Sequence, residues 1–286
     1  MVTILFDGIA YGMLLFVLAC GLTVTMGLMN FINLSHGAFA LAGGYATAAL
    51  TQKLGLPFLL CLPLAFVFSA LLGMLAETVL YRRLYNRSHL DQVLFTIGIV
   101  FMTVAAVDFM IGSHQQSITL PAWLRGRLDL LGGSIGVYRL FIIILCGVLA
   151  LAIQWLLSHT RFGSQLRAAV DDPRVARGLG IPVNKVFAVT FALGCGLAGL
   201  GGALGADLLG MDPTFPIKFM IYFLIVVTVG GTSGIMGTFF AALLLGIADV
   251  AGKYYVPQIG AFVIYALMVA VLILRPQGLF TRGGGR

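Results

Sequence analysis

The sequence predicts an all-α polytopic membrane protein, a bundle of about nine transmembrane helices. Three observations predict it. The 286-residue chain is 60% hydrophobic and 9% charged, with mean hydropathy +1.06, whereas a soluble globular domain carries about 25% charged residues. Apolar runs of about 17–25 residues recur along it, the length that crosses a bilayer as a helix. The runs are too long and too continuous for the alternating strands of a membrane barrel, and a helix satisfies its own backbone hydrogen bonds where lipid cannot.

Residues 4–27 open the series. No Lys or Arg precedes them, so they lack the basic start of a cleaved signal peptide and are expected to remain in the protein. Runs 37–52 and 57–80 follow, then a loop at 81–92 with Arg82, Arg83 and Arg87. Run 93–112 leads into the longest excursion, 112–138. Run 139–157 leads into a polar, Arg-rich island at 158–185. Runs 186–208, 217–230, 236–253 and 259–274 complete the chain, with a smaller excursion at 207–216. The stretch 27–37, GLMNFINLSHG, fits either a loop or a segment held inside the membrane, so the count lies between eight and ten. No solenoid repeat is present. The whole chain, 1–286, reads as a single transmembrane domain with no room for a sizeable water-soluble one.

Charge sets the expected orientation. Eleven Lys and Arg fall in 81–92, 158–185 and the tail (Arg275, Arg282, Arg286); six (Lys53, Arg125, Arg127, Arg139, Lys218, Lys253) fall on the other side. The richer side is expected to be cytoplasmic, with the N-terminus outside and the C-terminus inside. The same rule accounts for the net charge of +7. No nucleic-acid module accompanies that charge, so lipid is the expected surrounding and nucleic acid is not. Cys20, Cys61, Cys146 and Cys195 all sit in apolar runs with no paired spacing, and read as small buried residues with no metal or disulfide role.

The island carries five of the seventeen Lys and Arg residues: Arg161, Arg167, Arg174, Arg177 and, just past its end, Lys185. Asp172-Pro173 is a helix-start signal, a side-chain acceptor at the N-cap and then Pro at the first helical position. Gly178 or Gly180 closes the helix, and Pro182 stops it from resuming. A two-turn helix is therefore expected over 173–178, with Ser164 capping a preceding turn through Val170. Arg174 and Arg177 share one face, Val175 and Leu179 another. Such a knob is either an ordinary positive-inside surface helix or a handle for a soluble partner.

Three other segments invite a reading. In NFINLSHGAFALAGG (30–44), Asn30, Asn33, Ser35 and His36 cluster between apolar runs. They either line a transport path, because polar groups at membrane depth face a cavity or a bundle interior, or form a turn in which Ser35 caps the next helix. In VGGTSGIMG (229–237), Gly230, Gly231, Thr232 and Ser233 form either a second helix break of that kind or a tight loop. GCGLAGLGGALG (194–205) formally contains GxGxxG, but it lies inside an apolar run with no preceding strand, so nucleotide binding fails. Its small residues suit close helix packing. Of the acids in apolar runs, Asp7, Asp108 and Asp249 sit near run ends, where snorkelling or capping is the default, and Glu77 is placed to pair with arginine after Tyr81. Glycine-rich phosphate loops, HExxH, GxSxG and CxxC are all absent.

Together the motifs NFINLSHGAF, LRAAVDDPRVARGLGI (166–181), VGGTSGIMG and LRPQGLF (274–280) resemble the inner-membrane permease of bacterial branched-chain amino acid ABC importers. Order and spacing match over nearly the whole chain, and the length suits the shorter of the two permease subunits such systems contain. The resemblance implies a second, similar permease, two cytoplasmic ATPase subunits and a periplasmic binding protein as partners. ATP and Mg would be held on the ATPases, with no cofactor in this chain. The 166–181 motif would be the coupling loop, with Arg167, Asp171, Asp172, Pro173, Arg174, Ala176, Arg177, Gly178 and Gly180 at the ATPase contact. Branched-chain or other hydrophobic amino acids would be the cargo; relatives carry urea, short amides or aromatic acids.

Two other classes compete. An ion-coupled secondary transporter would need central intramembrane carboxylates, and this chain is poor in them. A membrane-embedded enzyme would need a constellation around His36, the one candidate, which has no acidic or second histidine partner nearby in sequence.

Overall fold

The computed structural model describes residues 1–27, 29, 31–85, 87–130, 133–231, 234–275 and 278–279; Asn30, Thr232 and Ser233 lie outside the described residues. Helices form at every apolar run: α1 (Val2–Gly27), α2 (His36–Lys53), α3 (Phe58–Val79), α4 (His89–Ile111) and α5 (Val137–His159). Two short helices, α6 (Arg161–Asp171) and α7 (Pro173–Gly178), occupy the Arg-rich island. Then come α8 (Val183–Leu209), α9 (Phe215–Gly230), α10 (Ile235–Tyr255) and α11 (Gly260–Leu274). The chain is an all-α bundle and a polytopic membrane protein. Six helices, α1, α3, α4, α5, α8 and α10, are long and apolar enough to cross a membrane, at 21 to 27 residues each. A rise of about 1.5 Å per residue makes these at least ~30 Å long. Helices α9 and α11, with 16 and 15 residues, are shorter, and α2 is diluted by Gly, Ala and Thr.

The outer helices show why the bundle belongs in lipid. Helix α4 buries Gln92, Thr96 and Val100, and α5 buries Tyr138, Ile142, Cys146 and Ala150. Both are single stripes with one residue per turn. Their other faces expose Phe101, Phe109, Leu151 and Trp155, a belt that a water-soluble surface does not tolerate. The inner helices are α1 and α8, wrapped by α2, α3 and α10.

Small residues let the inner helices approach closely. A side chain at Gly202 of α8 would run into the Ala40 carbonyl of α2, and one at Gly199 into Ser69 of α3. Gly12 of α1 faces the Ala242–Leu243 backbone of α10 in the same manner. The 194–205 stretch is thus a packing surface, as its composition suggests. All four cysteines are buried and unpaired.

The bundle has two chemically distinct ends. At one, the 81–89 connection lies beside α7, with Arg82 and Arg174 lining one cleft. At the other, the 112–138 excursion carries a hairpin of β1 (Arg127–Leu130) and β2 (Gly133–Gly136), with Arg127 opposite Gly136. The Gln116 amide donates to the Met211 carbonyl at 2.7 Å, tying the excursion to the 210–214 turn, and the Gln52 side chain bonds the Ser117 carbonyl. No strand is expected from the sequence; the hairpin is a local addition over the helix ends.

Two expectations need correction. Thr160, not Ser164, caps α6: its hydroxyl accepts from the Gly163 amide at 3.3 Å, while Ser164 donates to the Arg161 carbonyl within the helix. The helix starts early because α5 ends at His159 and Thr160 adopts extended backbone there. The 81–92 loop is also shorter than expected. Ser88 caps α4 by accepting from the Asp91 amide, so Gln92 belongs to a helix, and Tyr81 is fully buried in a 3-10 turn (Tyr81–Leu84).

Candidate functional site

Between α1 and α2 the chain leaves helical geometry inside the bundle. The Phe31 amide donates back to the Thr25 carbonyl at 3.0 Å. The next free amides are met by side chains of α4: Ile32 N–H donates to Gln92 Oε1 (3.2 Å) and Leu34 N–H to Thr96 Oγ1 (3.3 Å). Gln92 also donates to the Leu84 and Arg87 carbonyls, locking the break to the 3-10 turn. Asn33 Oδ1 accepts from the Ser35 amide and, at 2.6 Å, from its hydroxyl; Ser35 Oγ meets Tyr81 Oη at 2.5 Å. Every partner answers a backbone or hydroxyl group that lipid would leave bare. His36 opens α2 at the depth of Leu18 and Gly21, with its ring against Gly21 and edge-on to Phe223.

Asn33, Ser35 and His36 are therefore brought together, with exposures of 0, 0 and 1%. Helix α2 begins well inside the bundle, and Ser35 lends no side-chain cap to it. Gly230 and Gly231 lie elsewhere. Gly230 packs on Thr238, whose hydroxyl is 2.9 Å from that of Thr23. Gly231 has φ +83°, a left-handed conformation that favours glycine. The tail returns to this point: Gly278 covers Gly231, and the Leu279 amide donates to the Val229 carbonyl at 2.9 Å. Two motifs 45 residues apart in sequence thus form one joint.

Helix α7 spans the six residues expected of it. Asp172 Oδ1 accepts from the Arg174 and Val175 amides at 2.8 and 3.0 Å, and Gly180 takes φ +83° just beyond the end. Ala176 is buried, with the Ile181 amide bonded to its carbonyl. Arg174 and Arg177 line a cleft of about 850 Å³ with Arg82 and Tyr85. Val175 and Leu179 are 57% and 75% exposed. Asp171, Gly178 and Gly180 are exposed beside them. Arg167 sits one helix earlier and donates to the Leu157 carbonyl at the end of α5.

Residues 4–272 match the family described as the branched-chain amino acid transport system permease component. The chain belongs to this family. It is 26% identical over 293 residues to the high-affinity branched-chain amino acid transport system permease protein LivH of Escherichia coli K12, covering 97% of this chain and 94% of the relative. It is 27% identical to the corresponding protein BraD of Pseudomonas aeruginosa, covering 97% and 95%. The permease protein LivM of Escherichia coli K12 is 25% identical, covering 93% of this chain and 68% of the relative. No solved structure matches.

A permease component is a transport subunit and not an enzyme. His36 has Gly21 and Phe223 for neighbours. Four of the permease's acids, Asp7, Glu77, Asp212 and Asp249, form ion pairs among the described residues. Glu77 accepts from Arg82 at 3.0 and 3.3 Å and from Tyr85 at 3.2 Å, the arginine pairing its position predicts. Asp108 is exposed and accepts from Ser113, and Asp7 pairs with Arg139. Asp249 departs from the run-end expectation. It is 1% exposed, its Oδ2 is 2.6 Å from Lys253 Nζ, and its Oδ1 is unpartnered. Neither sequence position nor hydropathy shows which side of α10 faces inward. In the 210–214 turn, partial burial pushes the Asp212 carboxyl up. Hydrogen bonds from Lys218 and Thr214 outweigh this and hold it below its usual range.

Proposed function

We propose that this permease is the membrane-spanning subunit of an ABC importer that carries branched-chain or other hydrophobic amino acids across the bacterial inner membrane. The observation that supports this most is the family match along residues 4–272. The named relatives are permease proteins of branched-chain amino acid transport systems. Similarity to both LivH and LivM fits pairing with a second, related permease. ATP and Mg would be held by two separate ATPase subunits, and a binding protein would deliver cargo.

In this reading nine helices cross the membrane, α1 to α5 and α8 to α11, with the N-terminus outside and the C-terminus inside. The α7 end then faces the cytoplasm. Helix α7 is the coupling helix: a capped, protruding element with two arginines on one face and two exposed apolar residues on another. ATP binding draws the ATPases together and pushes α7, and the bundle rocks between outward- and inward-open states. Only contacts that differ between those states shift the balance. The α1–α2 break, with Asn33, Ser35 and His36, and the α9–α10 joint, with Gly230 and Gly231, are irregular stretches where helices bend during that exchange, and the path passes them together with Asn30, Thr232 and Ser233.

The test is uptake of radiolabelled leucine by vesicles that hold the purified permease, its partner permease and the ATPases, with binding protein outside. Uptake should require ATP inside. Leucine uptake that persists without ATP, driven by an ion gradient, would favour a secondary transporter. Stimulation of ATP hydrolysis by urea or acetamide, and not by leucine, would reassign the cargo. Orientation is checked by a cysteine placed at Arg174: a membrane-impermeant thiol reagent added to intact cells should not reach it.

A further inference from the structure

At the hairpin end, α1, α5, α8, α9 and α10 surround a cavity of about 500 Å³, a size typical of small-molecule sites. Its lining holds both signs of charge: Asp7 and Asp249 with Arg139, Lys218 and Lys253. The pairs Asp7–Arg139 and Asp249–Lys253 both open onto it. Lys218 reaches from the rim to Asp212. The lining also holds three aromatic rings, Tyr11, Phe219 and Tyr222. Lys253 Nζ lies 5.7 Å from the centre of the Tyr11 ring, on its face.

One atom is out of balance. Asp249 is buried on α10, yet only Oδ2 is engaged, and Oδ1 has no hydrogen-bond partner. A buried carboxylate oxygen left empty is destabilising, and native structures keep such groups where a ligand or water fills them. The missing partner is a donor, and a cationic one fits best. A lone cation would add to an already cationic lining, and a lone anion would leave Oδ1 unanswered. A molecule with both charges close together satisfies the cavity at no net charge.

We propose that this cavity is a binding site for a zwitterionic amino acid in the permease itself, resting on the permease reading above. The α-ammonium group donates to Asp249 Oδ1, the α-carboxylate meets Arg139 and Lys218, and an aliphatic side chain lies on Phe219 and Tyr222. Urea and simple amides carry neither charge, so the site selects amino acids over them. The cargo is thus screened a second time after its delivery.

The experiment measures radiolabelled leucine binding to the purified permease–ATPase complex without binding protein. Wild type should bind leucine, and neither 3-methylbutylamine nor 4-methylpentanoate, which each keep one of the charges, should compete at equal concentration. Asp249→Asn and Arg139→Gln should each weaken binding by about tenfold or more, with Asp249→Glu recovering part of it. Co-purification of the ATPases reports assembly; if Asp249→Asn fails to assemble, Tyr222→Ala in the aromatic lining carries the same test. Unchanged leucine binding in these variants would overturn the site while ATP-driven leucine uptake by wild type upholds the permease reading. Competition by the amine alone would also overturn it. Wild-type vesicles that take up no leucine with ATP would instead overturn the permease reading.

Discussion

Ser35 and Tyr81 stand 46 positions apart in sequence and bring their hydroxyl oxygens to 2.5 Å in a fully buried setting. The contact fastens the α1–α2 break to the turn after α3. Tyr81→Phe removes one hydrogen bond and leaves Ser35 bonded to Asn33, so it should destabilise the protein by about 1 kcal/mol. Asn33→Leu strips the acceptor from both the Ser35 amide and its hydroxyl, and should cost more, up to about 3 kcal/mol. Thermal unfolding in detergent ranks the two; equal and negligible shifts would mean that the break is held by Gln92 and Thr96 alone.

Gly202 sits against the Ala40 carbonyl with no space for a side chain. Gly202→Val should push α2 away from α8 and cost about 1–3 kcal/mol by overpacking. The same change at Gly98 on α4, where nothing lies within 4 Å, should be close to neutral for packing. Yields of monodisperse protein from parallel preparations compare the pair.

Asp172→Ala removes the acceptor for two α7 amides and should cost about 1 kcal/mol locally. Hydrogen exchange at Arg174 and Val175 should accelerate while α8 is unaffected. The double change Arg174→Glu and Arg177→Glu leaves the cap intact and reverses the charge of one face. It should uncouple leucine uptake from ATP hydrolysis or prevent ATPase co-purification. Full uptake by that variant would remove α7 from the coupling role.

Asp212 titrates below its usual value because Lys218 and Thr214 outweigh its partial burial. Its contribution to stability is full above the unfolded carboxyl value of about 3.9 and fades as pH falls through the lower folded value. The Lys218 end is more than half exposed, so screening limits the effect to about 1 kcal/mol or less. Melting curves of wild type and Asp212→Asn should therefore differ at pH 6 and converge towards pH 3. A difference that grows on acidification would contradict the sign.

The helical bundle was legible because hydropathy reports burial in lipid directly, and α7 was legible because Asp172, Pro173 and Gly180 each act on the backbone beside them. Motif order likewise pointed to the family. What stayed hidden depends on partners distant in sequence. Gln92 and Thr96 lie one turn apart on α4, a polar pair in an apolar run, yet nothing local shows that they face the amides of Ile32 and Leu34. Asp249 looks like a run-end acid until α1 and α9 are packed around it. The hairpin's strands are only four residues long, too short for an alternating pattern to show in the sequence. Ser164 looks like the cap from sequence because hydropathy ends α5 at residue 157, two residues short of His159, and so separates Thr160 from the helix it caps.

Val175 and Leu179, in and just beyond α7, leave apolar side chains more than half exposed. Such a spot resembles the surface that chaperones and proteases sample on incompletely assembled proteins. If an ATPase subunit covers α7, as proposed above, a cell that makes this subunit without it should clear the uncovered protein, and its abundance would follow the ATPase supply more closely than its own synthesis rate.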